Sequence, residues 1–142
     1  MVNALDKKSK EEIARAIADL ERFTHGEICV HLKAKCKKDP LENAKKVFRR
    51  LKMHRTKGKS GILIFIALQS HSFAILGDSG IHEKVGDEFW DQTRDIMVSY
   101  FSKGEIAEGI LAGVRSAGEK LKLHFPSKPD NPDELPNTVT ES

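Results

Sequence analysis

The chain has 142 residues, a length typical of a single domain. Hydrophobic residues make up 39% of it and charged residues 32%, which is typical of a globular protein and excludes an intrinsically disordered one. The longest apolar run, 62–68, is far shorter than the ~20 residues of a membrane-spanning helix, and we expect no secretory signal. Cys29 and Cys36 are too few for a disulfide framework, so we expect free thiols and a cytoplasmic location.

The net charge of +3 hides an uneven distribution of charge along the chain. Residues 33–59 contain 12 basic and two acidic side chains, whereas residues 60–126 contain six basic and nine acidic ones. No aromatic side chains for base stacking alternate with the lysines and arginines of the basic segment. The pattern therefore favours a solvated face, or a docking surface for an acidic protein, over a nucleic-acid interface.

The first predicted elements are a helix and a strand. Ser9 and Glu12 match an S-x-x-E capping box, and apolar residues at helical spacing predict a helix over 9–23. The apolar period then changes to two, which predicts a strand over 27–34 with one apolar face.

A second helix and two further strands follow. Asp39-Pro40 supplies an N-cap and a first helical residue, and the helix that it starts has a basic face. The apolar run within 61–68 predicts a central strand covered on both faces. After a short link, residues 71–77 predict a hairpin partner for that strand, and Asp78-Ser79-Gly80 predicts a turn.

The remaining residues predict two helices and a tail. One helix follows Gly86-Asp87 and ends at Lys103-Gly104, and the other runs from about 106 to 123. Four prolines follow Phe125, so we expect residues 127–142 to form an extended or disordered acidic tail behind a single domain, 1–126.

This order of elements predicts an α/β fold. The strand–helix–strand unit implies two parallel strands with a right-handed crossover, and the hairpin adds an antiparallel third strand. Helices on both faces of this small mixed sheet make a three-layer α/β/α sandwich.

The predicted topology brings three loops to one edge of the sheet. The starts of the two parallel strands and the end of the third meet there, so the segments 24–27, 55–60 and 77–80 converge. Their carboxylates and hydroxyls suit a hard cation such as Ca²⁺ or Mg²⁺, and their lysine and arginine suit a phosphate bridged by a metal. The alternative is that these residue types only serve the turns themselves.

An ordered set of short motifs over about residues 9–125 resembles the TPM domain family. The motifs are Thr24-x-Gly26-Glu27-Ile28, Gly61-Ile-Leu-Ile-Phe-Ile-Ala, Phe73-Ala-Ile-Leu-Gly77-Asp78-x-Gly80-Ile81, Phe101-x-x-Gly104 and Gly109-Ile110-x-x-Gly113. The family groups thylakoid-lumen phosphatase-like proteins, photosystem II repair factors and an accessory subunit of nematode acetylcholine receptors. The resemblance implies an α/β/α sandwich, binding of divalent cations, especially calcium, in acidic loops, and the acid-phosphatase activity reported for plant members.

Residue by residue, the resemblance implies a metal site formed by three carboxylates. They are Glu27 after the first glycine motif, Asp78 with Gly80 after the third strand, and Asp87 ahead of the next helix. We expect further contacts to a phosphate or another ligand from Thr24, Arg55, Lys59 and Gly80. No nucleophile motif is present, so no catalytic residue is assigned.

Two functions fit these residues. In the first, a stand-alone TPM-like domain binds Ca²⁺ or Mg²⁺ and hydrolyses a small phosphorylated ligand with the help of the metal, while Arg55 or Lys59 offsets the developing charge. In the second, the domain is a non-catalytic module that binds a protein partner through the same loops or through the basic helix 40–52.

Overall fold

The computed structural model describes residues 5–36, 39–53, 59–126 and 139–141, with the Asp87 side chain outside the description. Its helices and strands, in chain order, are α1 Lys7–Glu21, β1 Glu27–Lys33, α2 Pro40–Arg50, β2 Gly61–Ala67, β3 Ser72–Gly77, α3 Ser79–Val85, a 3-10 helix Asp87–Trp90, α4 Asp91–Phe101, α5 Ile106–His124 and β4 Val139–Glu141. Helices cover both faces of an open mixed sheet, so the predicted α/β fold is confirmed.

The sheet has the strand order β3-β2-β1-β4. β1 and β2 are parallel, with Glu27 opposite Gly61, and β2 and β3 are antiparallel, with Ile62 opposite Gly77. Both pairings agree with the predicted topology. β4 is an addition, since its three residues lie in the predicted tail and pair in parallel with β1.

The two faces of the sheet have different cores. Every residue of β2 is buried, as the apolar run predicts for a central strand. On one face, Ile28 and Val30 of β1 pack in the larger core with α1 and α5. On the other face, Cys29 packs in a smaller core with α2. None of the helices in the described part of the chain is long and apolar enough to cross a membrane.

The two predicted helix starts have different outcomes. α2 begins at Pro40, and the carboxylate of Asp39 accepts a hydrogen bond from the Leu41 N–H at 3.0 Å, so this prediction is confirmed. α1 begins two residues earlier than predicted. Its N-cap is Asp6, whose carboxylate accepts from the Ser9 N–H at 2.7 Å, so the predicted capping box is wrong. The Asp6 carboxylate caps the helix three residues before Ser9, so Ser9 lies inside the first turn and is not the N-cap.

The segment Asp78-Ser79-Gly80 is a helix start rather than the predicted turn. Asp78 is the N-cap of α3, and its Oδ1 accepts a hydrogen bond from the Ser79 N–H at 2.7 Å. Aspartate accepts hydrogen bonds from nearby backbone N–H groups both in turns and at helix N-caps. The local sequence therefore does not distinguish a turn from a helix start here.

Candidate cation and ligand site

The strand ends meet at one edge of the sheet, as the topology predicts. The N–H of Glu27 donates to the Ser60 carbonyl at 3.2 Å, and the N–H of Asp78 donates to the Gly61 carbonyl at 2.9 Å. Glu27 also lies opposite Gly61 in the parallel register. The two acidic residues therefore flank Gly61 on adjacent strands, with about 10 Å between their backbones, or two strand spacings.

Glu27 presents a buried carboxylate at the start of β1. The residue is only 3% exposed. It lies on the same face of β1 as Cys29 and His31, because side chains alternate along a strand. This is the face covered by α2.

Asp78 provides the most informative atom of the site. Its Oδ1 caps α3, whereas its Oδ2 is buried and accepts no hydrogen bond from any described residue. A buried oxygen that is left without a donor costs about 1–3 kcal/mol, and more when it is charged. Such an oxygen fits a bound cation, which supplies the missing positive charge.

Asp78 also lines a cavity of about 430 Å³ beside α2. Two basic side chains of that helix, Lys45 and Arg49, line the same cavity together with Phe48, Leu76 and Gly77. The sequence predicts only a solvated basic face for this helix, and the position of these two cations near Asp78 was not predicted. The predicted hairpin was the one available signal for this position. It places β3 next to β2, one face of which is covered by α2, so α2 can reach β3 as well.

Thr24 ties the start of β1 to the end of α5. The residue is fully buried, and its hydroxyl donates to the Phe125 carbonyl at 2.5 Å and accepts from the Gly26 N–H at 3.0 Å. A Cβ added at Gly26 would lie 2.8 Å from a methyl group of Leu121, so a larger residue here would require the Leu121 side chain to shift. These contacts give Thr24 a structural role, and its role as a ligand contact stays a prediction.

Two of the other predicted site residues, Gly80 and Lys59, lie near the same edge. Gly80 is the second residue of α3, and Lys59 lies in the connection into β2 with a φ of 53°. Arg55 and the Asp87 side chain lie outside the described residues. Within the described part, no three or more His, Cys, Asp or Glu side chains are grouped to hold a metal. The three-carboxylate site therefore stays a prediction, and the structure brings Glu27 and Asp78 to its edge.

A second polar cluster lies where β4 meets β1. The Thr140 hydroxyl is 2.8 Å from His31 Nδ1 and 3.6 Å from the Cys29 thiol. Burial lowers the pKa of His31 to about 4, and burial raises the pKa of the Cys29 thiol. Both groups are therefore neutral near pH 7, which suits packing rather than nucleophilic catalysis. Both cysteines are free thiols, as expected.

Comparisons with known proteins place the chain in a recognisable group. Residues 1–120 match the TPM domain. The BA42 protein from the psychrophilic bacterium Bizionia argentinensis is 40% identical, with 97% of this chain and 95% of that one covered and a TM-score of 0.90. The N-terminal domain of a P. gingivalis protein shares the fold at 20% identity, 85% and 78% coverage and a TM-score of 0.70. The N-terminal domain of a Corynebacterium glutamicum protein also shares the fold, at 16% identity and a TM-score of 0.65, with 94% of this chain and 80% of that one covered. No functionally curated protein matches the sequence.

Proposed function

This chain belongs to the TPM domain family, and we propose that it binds Ca²⁺ or Mg²⁺ at the sheet edge that carries Glu27 and Asp78. The observation that carries the proposal is the buried Oδ2 of Asp78, which accepts no hydrogen bond from the described residues. The other oxygen of that carboxylate is committed to the N–H at the start of α3. The carboxylate is therefore held in place and presents one oxygen to a ligand.

Glu27 is the second protein ligand in this proposal. Its buried position and its register opposite Gly61 keep it at the same sheet edge as Asp78. The sequence suggests Asp87 as the third carboxylate. Both Ca²⁺ and Mg²⁺ take oxygen ligands, and Mg²⁺ usually keeps several waters, so a few carboxylates are sufficient.

The reaction that fits this site is hydrolysis of a phosphate monoester. A bound divalent cation supplies a Lewis acid for a phosphoryl oxygen. Glu27 and Asp78 would hold it, and Lys59 with Arg55 would offset the negative charge on the phosphoryl group. Substrate binding and charge neutralisation are thus assigned to the loop that leads into β2.

Isothermal titration of Ca²⁺ and of Mg²⁺ into the EDTA-treated, dialysed chain tests the cation site. We expect binding that Asp78→Asn weakens by at least about tenfold, a loss of about 1.4 kcal/mol. Asparagine is as good an N-cap as aspartate, so α3 should be preserved. Asp95→Asn, a neutralised exposed carboxylate on α4, is the matched control. Equal affinity in the chain and in Asp78→Asn, or no binding at all, would contradict the proposal.

The enzymatic step has its own test. An aryl phosphate should be hydrolysed in the presence of the better-bound cation, and the turnover should disappear in Asp78→Asn but persist in Asp95→Asn. If the chain binds the cation but hydrolyses no aryl phosphate, the cation site would stand and the proposed hydrolase activity would be rejected.

A further inference from the structure

The outer edge of β3 is an open strand edge. Among the described residues β3 pairs with β2 alone, because the sheet ends there. Antiparallel bonding alternates, and the bond from Asp78 N–H to the Gly61 carbonyl sets its phase. The N–H groups of Phe73, Ile75 and Gly77 therefore point away from β2. β3 contains no charged residue and no proline, although these are the usual protection of an exposed edge.

A groove runs along this edge. It is a cavity of about 400 Å³ with residues 73–77 as its floor. Residues 39–41 at the start of α2 form one wall, and Trp90 and Arg94 contribute to the other. Leu41 is 37% exposed, so an apolar side chain is available on the first wall. The volume lies within the range of ~300–1,000 Å³ that is usual for ligand sites.

The groove has a basic end. Leu76 and Gly77 line both this groove and the adjoining cavity, which Lys45 and Arg49 border. These two cations are exposed and stand one helical turn apart on α2, where like charges repel by a few tenths of a kcal/mol. An acidic group at the Gly77 end of the groove would be attracted to both of them, although Asp78 lines the same cavity and the Lys45 ammonium also lies 3.5 Å from the Glu42 carboxylate.

We propose that β3 binds an extended segment of a partner protein as an added antiparallel strand. The segment carries alternating aliphatic side chains and begins with acidic residues, which lie at the Gly77 end. The outward N–H groups of β3 would supply main-chain hydrogen bonds, Leu41 and Trp90 would supply apolar contacts, and Lys45 and Arg49 would meet the acidic residues. Antiparallel pairing is the more stable per residue, which places the acidic end of the segment at its N-terminus.

Two other occupants fit the groove less well. A second copy of the chain would bring the same two walls against each other, and its own β3 contains no acidic residue to meet Lys45 and Arg49. The chain's own C-terminal strand ends on β1, at the opposite side of the sheet. A separate acidic segment is therefore the occupant that the charges favour.

The test uses the full chain in EDTA, which separates peptide binding from cation binding. The probe is the peptide acetyl-Glu-Glu-Val-Thr-Val-Thr-Val-amide, and its control has Lys-Lys in place of Glu-Glu. We expect the acidic peptide to shift the amide resonances of Phe73, Ile75 and Gly77, and the basic peptide to leave them in place.

Two double variants test the basic end. Lys45→Glu with Arg49→Glu should weaken binding of the acidic peptide by at least about tenfold. Lys46→Glu with Arg50→Glu makes the same charge change on the same helix away from the cavity, and it should stay within about threefold of the unchanged chain.

Several results would overturn the proposal. Shifts confined to β1 and β4 would place the peptide at the other edge. Equal losses in the two double variants would show non-specific attraction to a basic surface. A dimer in sedimentation, with β3 protected in the absence of peptide, would identify a second copy as the occupant. If the acidic peptide shifts no amide resonance, the proposal that β3 binds an added strand would be rejected.

Discussion

The two edges of the sheet differ in how their main-chain groups are satisfied. At the outer edge of β1, the Glu21 carboxylate accepts from the Ile28 N–H at 2.7 Å, and β4 pairs alongside Val30, His31 and Leu32. At the outer edge of β3, no described strand is paired. Unpaired edges are templates for strand addition. The chain thus closes one edge with its own residues, and the side left open is the side where Asp78 and its cavity lie.

The closed edge combines one buried acid with a short strand. Glu21 belongs to α1, is almost fully buried and reaches across to β1. β4 adds the contact between Thr140 and His31 and an ion pair between Lys10 and Glu141. Because a different side chain makes each contact, each contact can be removed by a separate substitution, and the closure of β1 can be tested in steps.

The largest effect should come from Glu21→Ala. Removal of the carboxylate leaves the Ile28 N–H at the closed edge without its acceptor, which should lower the free energy of unfolding by about 2–3 kcal/mol. Glu21→Gln keeps an acceptor oxygen and should retain most of the stability. Urea denaturation measures both. If Glu21→Ala is as stable as the unchanged chain, the edge of β1 does not depend on this bond.

The pH dependence of stability should be next in size. Burial, followed by the charges of Arg50 and Lys33, lowers the pKa of His31 from 6.5 to about 4. As the pH falls from about 7 to about 5, the unfolded chain takes up a proton at this position and the folded chain does not, so the free energy of unfolding falls by about 2 kcal/mol. In His31→Gln this part of the pH dependence should be absent. Urea denaturation at about pH 7 and about pH 5 measures this loss of stability in the unchanged chain and in His31→Gln. An equal loss in the two proteins would refute the prediction.

Deletion of 139–142 should open the edge of β1 at a cost of about 1–2 kcal/mol, since it removes a few main-chain bonds and the hydroxyl contact to His31. In a Cys36→Ser background, alkylation of Cys29 should then accelerate by about tenfold. Thr140→Val keeps the strand and should cost only about 1 kcal/mol. An unchanged rate of alkylation would mean that β4 does not cover the thiol.

The ion pair between Lys10 and Glu141 should have the smallest effect. Both side chains are partly exposed, so Lys10→Ala should cost no more than about 0.5 kcal/mol, and added salt should remove that difference. Arg15→Ala, on the same helix, is the matched control. A loss above about 1 kcal/mol would show that the pair stabilises the closed edge beyond what exposure permits.

The sequence predicted the parts of the fold that depend on a few neighbouring residues. The start of α2 at Asp39-Pro40 and the buried strand β2 are both local signals, and both are confirmed. β4 is different, because three residues behind a proline-containing segment show no period of their own. The contact of Thr140 with His31 spans 109 positions, so only the folded sheet creates that strand.

The sequence predicted only part of the site, because the rest depends on how distant elements pack in the folded chain. Topology alone places Glu27 and Asp78 at one edge, but the placement of Lys45 and Arg49 depends on how α2 lies across β3. Glu21 did leave a signal, since it follows Ile17 by four residues and so lies in line with the apolar stripe of α1.

Amide hydrogen exchange of the cation-free, peptide-free chain tests most directly whether one edge is closed and the other open. We expect slow exchange at Ile28 and Leu32 on the outer edge of β1, and fast exchange at Phe73, Ile75 and Gly77 on the outer edge of β3. The N–H groups of Ala74 and Leu76 point to β2 and should exchange slowly. Equal protection at the two edges would contradict it.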